Sequence, residues 1–221
     1  MPVTLRVAAL AIVLTTAAIA PLALTPTAAV AQATRDAQAE AFVQAETTRG
    51  LAILNNSSLG TEGKKQAFRT FVDQIADVPR ITSFVLGKYN RTITPEQRQA
   101  FNPVFREYAN SVYETRLGEY RGETLKVTGS TVRRPGDVIV TSQVTGGARR
   151  EPAKVSWRVI QADGRWRVVD VEVSGVWLAI TQQQDFVSTM DNAKGDVNVL
   201  IGQLKRQSAA GTAGAPARAA R

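Results

Sequence analysis

The hydrophobic period of this chain changes twice, and those two changes constrain its fold more than any other feature. From about Thr34 to Gly122 apolar residues recur at helical spacing; after Gly122 they alternate; near Ile180 helical spacing returns. In the first stretch Phe42, Val43, Leu51 and Leu54 share one side of a helix. Phe68, Phe71, Val72 and Ile75 mark a second, and Ile81, Phe84 and Val85 follow Pro79. A further helix opens at Thr94-Pro95-Glu96-Gln97, where threonine caps, proline suits the first helical position and glutamine supplies the reciprocal contact. Its apolar face reads Phe101, Val104, Phe105, Tyr108 and Val112, drifting to Tyr113, Leu117 and Tyr120, with Pro103 inside it as a candidate kink.

Four alternating runs come next: Leu125 and Val127; Val138, Val140 and Val144; Val155, Trp157 and Val159; and Trp166 to Val173. Asp163-Gly164, between the last two, is a tight-hairpin signal. Helical spacing resumes with Ile180, Phe186, Val187 and Met190, then Val197, Leu200, Ile201 and Leu204 after Gly195. Residues 34–206 are therefore expected to form a single α+β domain. Its four-stranded antiparallel meander is packed on one face by N-terminal and C-terminal helices.

The ends read differently. Arg6 precedes the apolar run Val7–Leu14, no further charge appears before Arg35, and the segment closes on Ala29-Val30-Ala31 or Ala31-Gln32-Ala33. Residues 1–31 fit a cleaved secretory signal peptide. Pro21 and Pro26 interrupt them before the ~20 apolar residues of a membrane span accumulate. Residues 207–221 carry no large apolar side chain and are expected to be a disordered tail. Cleavage after Ala31 would remove one of 27 basic residues and no acidic one, moving the formal charge from +8 to +7. Export argues against nucleic acid as the partner of that charge. Arg133-Arg134 and Arg149-Arg150 read as solvated hairpin loops or a docking patch.

Absences bound the chemistry. The chain has no His and no Cys, which excludes disulfides, a cysteine-linked lipid anchor, the usual zinc sites, a Ser-His-Asp triad and thiol catalysis. Gly146-Gly147 sits between strand patterns, where a turn explains it. No catalytic residue, metal ligand or cofactor is predicted. Asp170, inside an apolar strand beside Val169 and Val171, reads as a bulge or strand-end residue paired with Arg158 or Arg167, or else as a pocket acid. Large apolar groups abound on the sheet (Val140, Val155, Trp157, Val159, Val171, Val173) and on the helices (Phe84, Val85, Phe101, Phe105, Tyr108, Val112). Periodicity does not tell whether they fill a core or leave an apolar pocket between sheet and helices.

Three blocks of residues carry a family resemblance. Phe84-Val85-Leu86-Gly87-Lys88-Tyr89, Thr94–Arg98 and Phe105–Tyr108 form the first. Trp157-Arg158-Val159, Trp166–Val171 and Val173–Val176 form the second, and Phe186 with Val199–Leu204 the third. In this order they resemble the MlaC family of periplasmic phospholipid-binding proteins, also called toluene-tolerance proteins, from about residue 36 to 206. Asn90 stands where the family often has an aromatic residue, and Trp177 and Gln183 where a serine and a basic residue are common.

The resemblance implies a soluble periplasmic lipid carrier without enzymatic activity. Acyl chains of a phospholipid would lie in the apolar pocket against the twelve residues above. A related branch associated with hopanoid-producing bacteria extends the expected cargo to a polycyclic lipid. The implied partners are an inner-membrane ABC transporter with an MCE-type subunit and an outer-membrane lipoprotein–porin complex, the machinery of outer-membrane lipid asymmetry. Two other readings stand beside it: a cone-shaped α+β enzyme with Asp170 or Glu172 as base, and a protein-binding adaptor with a filled core.

Overall fold

The structure, a computed structural model, describes residues 34–118, 120–147 and 150–210. The predicted signal segment and residues 211–221 of the predicted tail lie outside the described residues. Four helices come first: α1 (Ala37–Asn55), α2 (Thr61–Ile75), α3 (Val78–Val85) and, after a 3-10 turn at Gly87–Arg91, α4 (Pro95–Gly118). Their starts follow local chemistry. The Asp36 carboxylate accepts from the Ala39 N–H at 2.9 Å and Asp77 from the Arg80 N–H at 3.1 Å. At α4 the capping box closes in both directions. Thr94 N–H donates to Gln97 Oε1 at 2.9 Å and Gln97 N–H to Thr94 Oγ1 at 3.2 Å. Pro103 lies within α4, which continues past it.

Strands β1 (Glu123–Arg134), β2 (Asp137–Gly146), β3 (Ala153–Ala162) and β4 (Arg165–Val173) form the expected antiparallel meander in sequence order. The Asp163-Gly164 turn has both residues in the left-handed region, φ 51° and 71°, which matches the twist of the strands it joins. A fifth strand, β5 (Val176–Trp177), pairs with the end of β4. Two residues are too few to show a period, so the sequence pattern does not reveal it. Helices α5 (Leu178–Asn192) and α6 (Val197–Ala209) follow. Helix α6 runs past the expected start of the tail at residue 207. Among the described residues no helix is long and apolar enough to cross a membrane.

The helices do not all lie on the sheet. One core joins the inner sheet face (Val138, Val140, Val159, Val168) to α1 and α2 through Ala39, Val43, Phe71 and Ile75. A second core is wholly helical and draws Val85, Leu86, Phe101, Phe105, Phe186, Met190, Leu200 and Leu204 from α3 to α6 and the turn after α3. Gly87, with φ +53°, ends that α3 segment where the chain passes α5. A β-carbon there would sit 2.6 Å from Val187 Cγ2.

The two cores are joined along the outer edge of β4. Asp77 N–H donates to the Val168 carbonyl at 2.9 Å, and Asp170 Oδ1 accepts from the Ala179 N–H at the start of α5 at 2.8 Å. Strand β5 occupies Glu172 and Val173. At the opposite edge, Gln44 of α1 imitates a strand. Its Oε1 accepts from Val127 N–H at 2.9 Å and its Nε2 donates to the Leu125 carbonyl at 3.4 Å. Val132 N–H donates to the Thr34 carbonyl at 3.0 Å.

The sheet's other face carries a cluster of three arginines around one buried aspartate. Arg158 donates to the buried Asp137 through Nε at 3.0 Å and Nη2 at 2.9 Å, while Arg133 and Arg134 of the β1–β2 hairpin approach Oδ2 at 3.4 and 3.3 Å. The Arg158 hydrogen bonds hold the Asp137 carboxyl below the ordinary aspartate range, against the opposing effect of burial. A lowered folded-state value contributes stability that is present above the unfolded value of about 3.9 and lost as pH falls through the folded one. Asp137→Asn should therefore cost about 2 kcal/mol at pH 7 in urea unfolding, with the gap to the wild type closing in acid. An equal gap at pH 7 and pH 2.5 would remove the charge from the explanation.

Candidate functional site

A cavity of about 420 Å³ lies where the two cores meet. Its walls come from α1 (Phe42, Val43, Leu51, Leu54), α2 (Phe68, Phe71, Val72, Ile75), α3 (Ile81, Val85), α4 (Phe105, Tyr108, Ala109, Val112) and the sheet. Strand β4 gives four consecutive residues, Val168 to Val171. Alternation would turn half of them away. Here the register slips opposite Arg158 and Val159, so that β4 carries one extra residue, and this bulge brings neighbours to the same side.

Polar groups in the wall are mostly spent within the protein. Thr47 Oγ1 donates to the Val43 carbonyl at 2.8 Å, and Tyr108 Oη donates to Gln182 Oε1 at 2.8 Å. Trp157, whose ring lines the cavity, donates its Nε1–H sideways to Ser142 Oγ at 3.0 Å, and that hydroxyl donates to the Val155 carbonyl at 3.0 Å. The indole thus presents carbon to the cavity while its one donor is satisfied inside the sheet.

Of the twelve residues singled out in the sequence, Val85, Phe105, Tyr108, Val112, Trp157 and Val171 line the cavity. The other six lie elsewhere. Phe101 is fully buried in the helical core, stacked on Phe105 with ring centres 5.8 Å apart and edge-on to Phe186 at 6.2 Å. Phe84, next to Val85 on α3, turns outward and is 37% exposed. Val140 and Val159 are covered in the sheet core. Val155 pairs with Val173 at the β5 end of the sheet, where Val173 is 39% exposed. Alternation identifies the inner face of a strand, but not how far along it a cavity runs. The α1 and α2 wall was missed, although its residues had been read as amphipathic faces. Their excess over what a sheet needs for cover was the available signal.

Asp170 also lines the cavity and is 8% exposed, but no arginine among the described residues forms an ion pair with it. Arg158 is committed to Asp137, and Arg167 donates to the Gln74 carbonyl. Asp170 Oδ1 instead accepts from Val171 N–H and Ala179 N–H, both at 2.8 Å, and so caps α5 from across the structure. Burial raises its pKa, and the backbone donors together with the charge of Arg158 offset that only in part. Glu172 is not among the lining residues. The family departures serve the frame. Asn90 Oδ1 accepts from Arg98 Nη1 at 2.7 Å, Gln183 Nε2 donates to the Phe84 carbonyl at 2.6 Å, and Trp177 belongs to β5.

Residues 29–206 match the family described as MlaC protein. Among solved structures the chain is similar to the phospholipid-binding protein from Ralstonia solanacearum, determined in complex with a phospholipid. The two share 28% sequence identity with a TM-score of 0.68, covering 78% of this chain and 98% of that one.

The capping role of Asp170 separates two variants. Because its folded-state pKa is raised, stability falls as pH rises from the unfolded value through the folded one. Asp170→Asn keeps an acceptor for both amides and removes the buried charge, so at pH 8 its urea midpoint should equal or exceed that of the wild type. Asp170→Ala abandons the cap and should lose about 1–2 kcal/mol. Equal losses in both variants would refute the capping role.

Proposed function

Since this chain belongs to the MlaC family, we propose that it is a periplasmic carrier that shelters the acyl chains of a phospholipid in the cavity between its two cores. The carrier is exported by its N-terminal signal segment, is not an enzyme, and passes its cargo between an inner-membrane ABC transporter with an MCE-type subunit and an outer-membrane lipoprotein–porin complex.

The observation that carries this reading is the cavity itself. Its volume of about 420 Å³ falls within the ~300–1,000 Å³ of ligand sites and does not fit an adaptor with a filled core. Interiors otherwise pack with few voids larger than a water molecule. Such a space is better explained as room for a ligand than as a packing fault. The wall chemistry supports an acyl chain. Each methylene sheltered from water contributes about 0.8 kcal/mol, so the ~30 methylenes of a two-chain lipid represent on the order of 24 kcal/mol. Shelter of this kind needs no directed polar contact, which suits a protein that must also release its load. Asp170 Oδ1 is already committed to the backbone amides of Val171 and Ala179.

Protein exported to the periplasm and extracted with organic solvent should yield close to one phospholipid per chain by mass spectrometry. Ala109→Trp, which puts an indole into the cavity from α4, should lower that yield at least tenfold while leaving the circular dichroism spectrum unchanged. Val140→Trp would overpack the sheet core instead and is no test of the cavity. Absence of lipid from the wild type, or an undiminished load in Ala109→Trp, would count against the carrier reading.

A further inference from the structure

Among the polar side chains that line the cavity, Glu46 is unlike the rest. Thr47, Asp170 and Gln182 each hold a hydrogen bond within the protein. Glu46 Oε2 is buried and accepts no hydrogen bond among the described residues. Its charge is met by Arg49, one turn along α1, whose Nη2 stands 2.9 Å from that oxygen as an ion pair. Arg49 is itself half exposed and lies over the Phe71 ring, 4.9 Å from its centre. Phe71 comes close to α1 because residue 50 is glycine; a β-carbon there would stand 3.0 Å from the ring. Phe71, Glu46 and Gly50 all belong to the cavity wall. The pair therefore sits at its margin, carboxylate inward and guanidinium toward water.

On the reading of the cavity as a phospholipid site, we propose that Glu46 and Arg49 read the lipid headgroup and favour a zwitterionic aminophospholipid over an anionic one. A lipid with its chains in the cavity and its phosphate at this margin would meet the half-exposed Arg49 guanidinium there. Drawing Arg49 onto phosphate uncovers Glu46, and a half-buried carboxylate stripped of its cation is costly. An ethanolamine headgroup carries an ammonium one short linker from the phosphate and restores the lost charge partner. A glycerol headgroup offers only hydroxyls, and the second negative charge stays unbalanced. Discrimination thus arises from the penalty on the wrong lipid more than from a stronger grip on the right one.

The test equilibrates the full mature protein with vesicles of equimolar phosphatidylethanolamine and phosphatidylglycerol with identical acyl chains. Re-isolated protein is then analysed for total lipid per chain and for the ratio of the two lipids. The wild type should carry about two- to fivefold more phosphatidylethanolamine, the range expected of a partly exposed charge pair. Glu46→Gln, an isosteric change, should bring the ratio near one without lowering the total. Arg49→Gln leaves Glu46 without its cation in every state, so it should keep or raise the ratio while lipid leaves faster. A stoichiometric load with a ratio near one in the wild type, or with no change in Glu46→Gln, overturns this inference and leaves the carrier reading intact. No bound lipid in any of the three proteins overturns both.

Discussion

The outer edge of β4 is the constraint on which the rest of the structure depends. Within six residues it takes up the link between α2 and α3 at Val168, the start of α5 at Asp170, and β5 at Glu172 and Val173. Each attachment satisfies a backbone group that an exposed edge would leave to water. Together they set the helical core beside the sheet core without merging the two. The bulge at Val169 is part of the same arrangement. It turns Asp170 inward to reach the first amides of α5 and gives β4 two adjoining valines for the cavity wall.

A cavity in a protein this small has to be held open by groups that do not collapse into it. Of the aromatic rings that line it, Phe105 and Trp157 are fixed from outside the cavity and Phe71 packs within the wall. Phe71 is held against Gly50, Phe105 is stacked on Phe101, and Trp157 is tied through its indole donor to Ser142. The Phe105 and Trp157 rings are therefore oriented by contacts outside the space they line. The raised pKa of Asp170 belongs to the same economy. A carboxylate kept in a poor environment is compensated there by the amides of Val171 and Ala179.

Much of the frame was legible in the sequence because it is local. The change of period at Gly122, the Asp163-Gly164 turn and the Thr94–Gln97 capping box are each decided within a few residues, and each appears in the structure. What the sequence hid is non-local. Val140 and Trp157 face the same way from neighbouring strands, yet only the second reaches the cavity, because α1 covers the first. The partner of Asp170 comes from nine positions later in the chain, through a backbone amide that no side-chain pattern advertises. At i,i+3 spacing on α1, nothing in the sequence separates Glu46 and Arg49 from an ordinary solvated helix pair. The pair's position against Phe71 depends on how closely α2 approaches Gly50.

Gln44 and Thr34 close the far edge of the sheet, as the attachments on β4 close the near one. A twisted sheet with both borders engaged offers little template for strand addition by a second chain. Amyloid-like pairing and domain exchange need such a template, and here it is taken by a helix side chain on one border and by the chain's own linkers on the other. A cavity walled by apolar side chains adds to the reasons for keeping both borders of the sheet occupied.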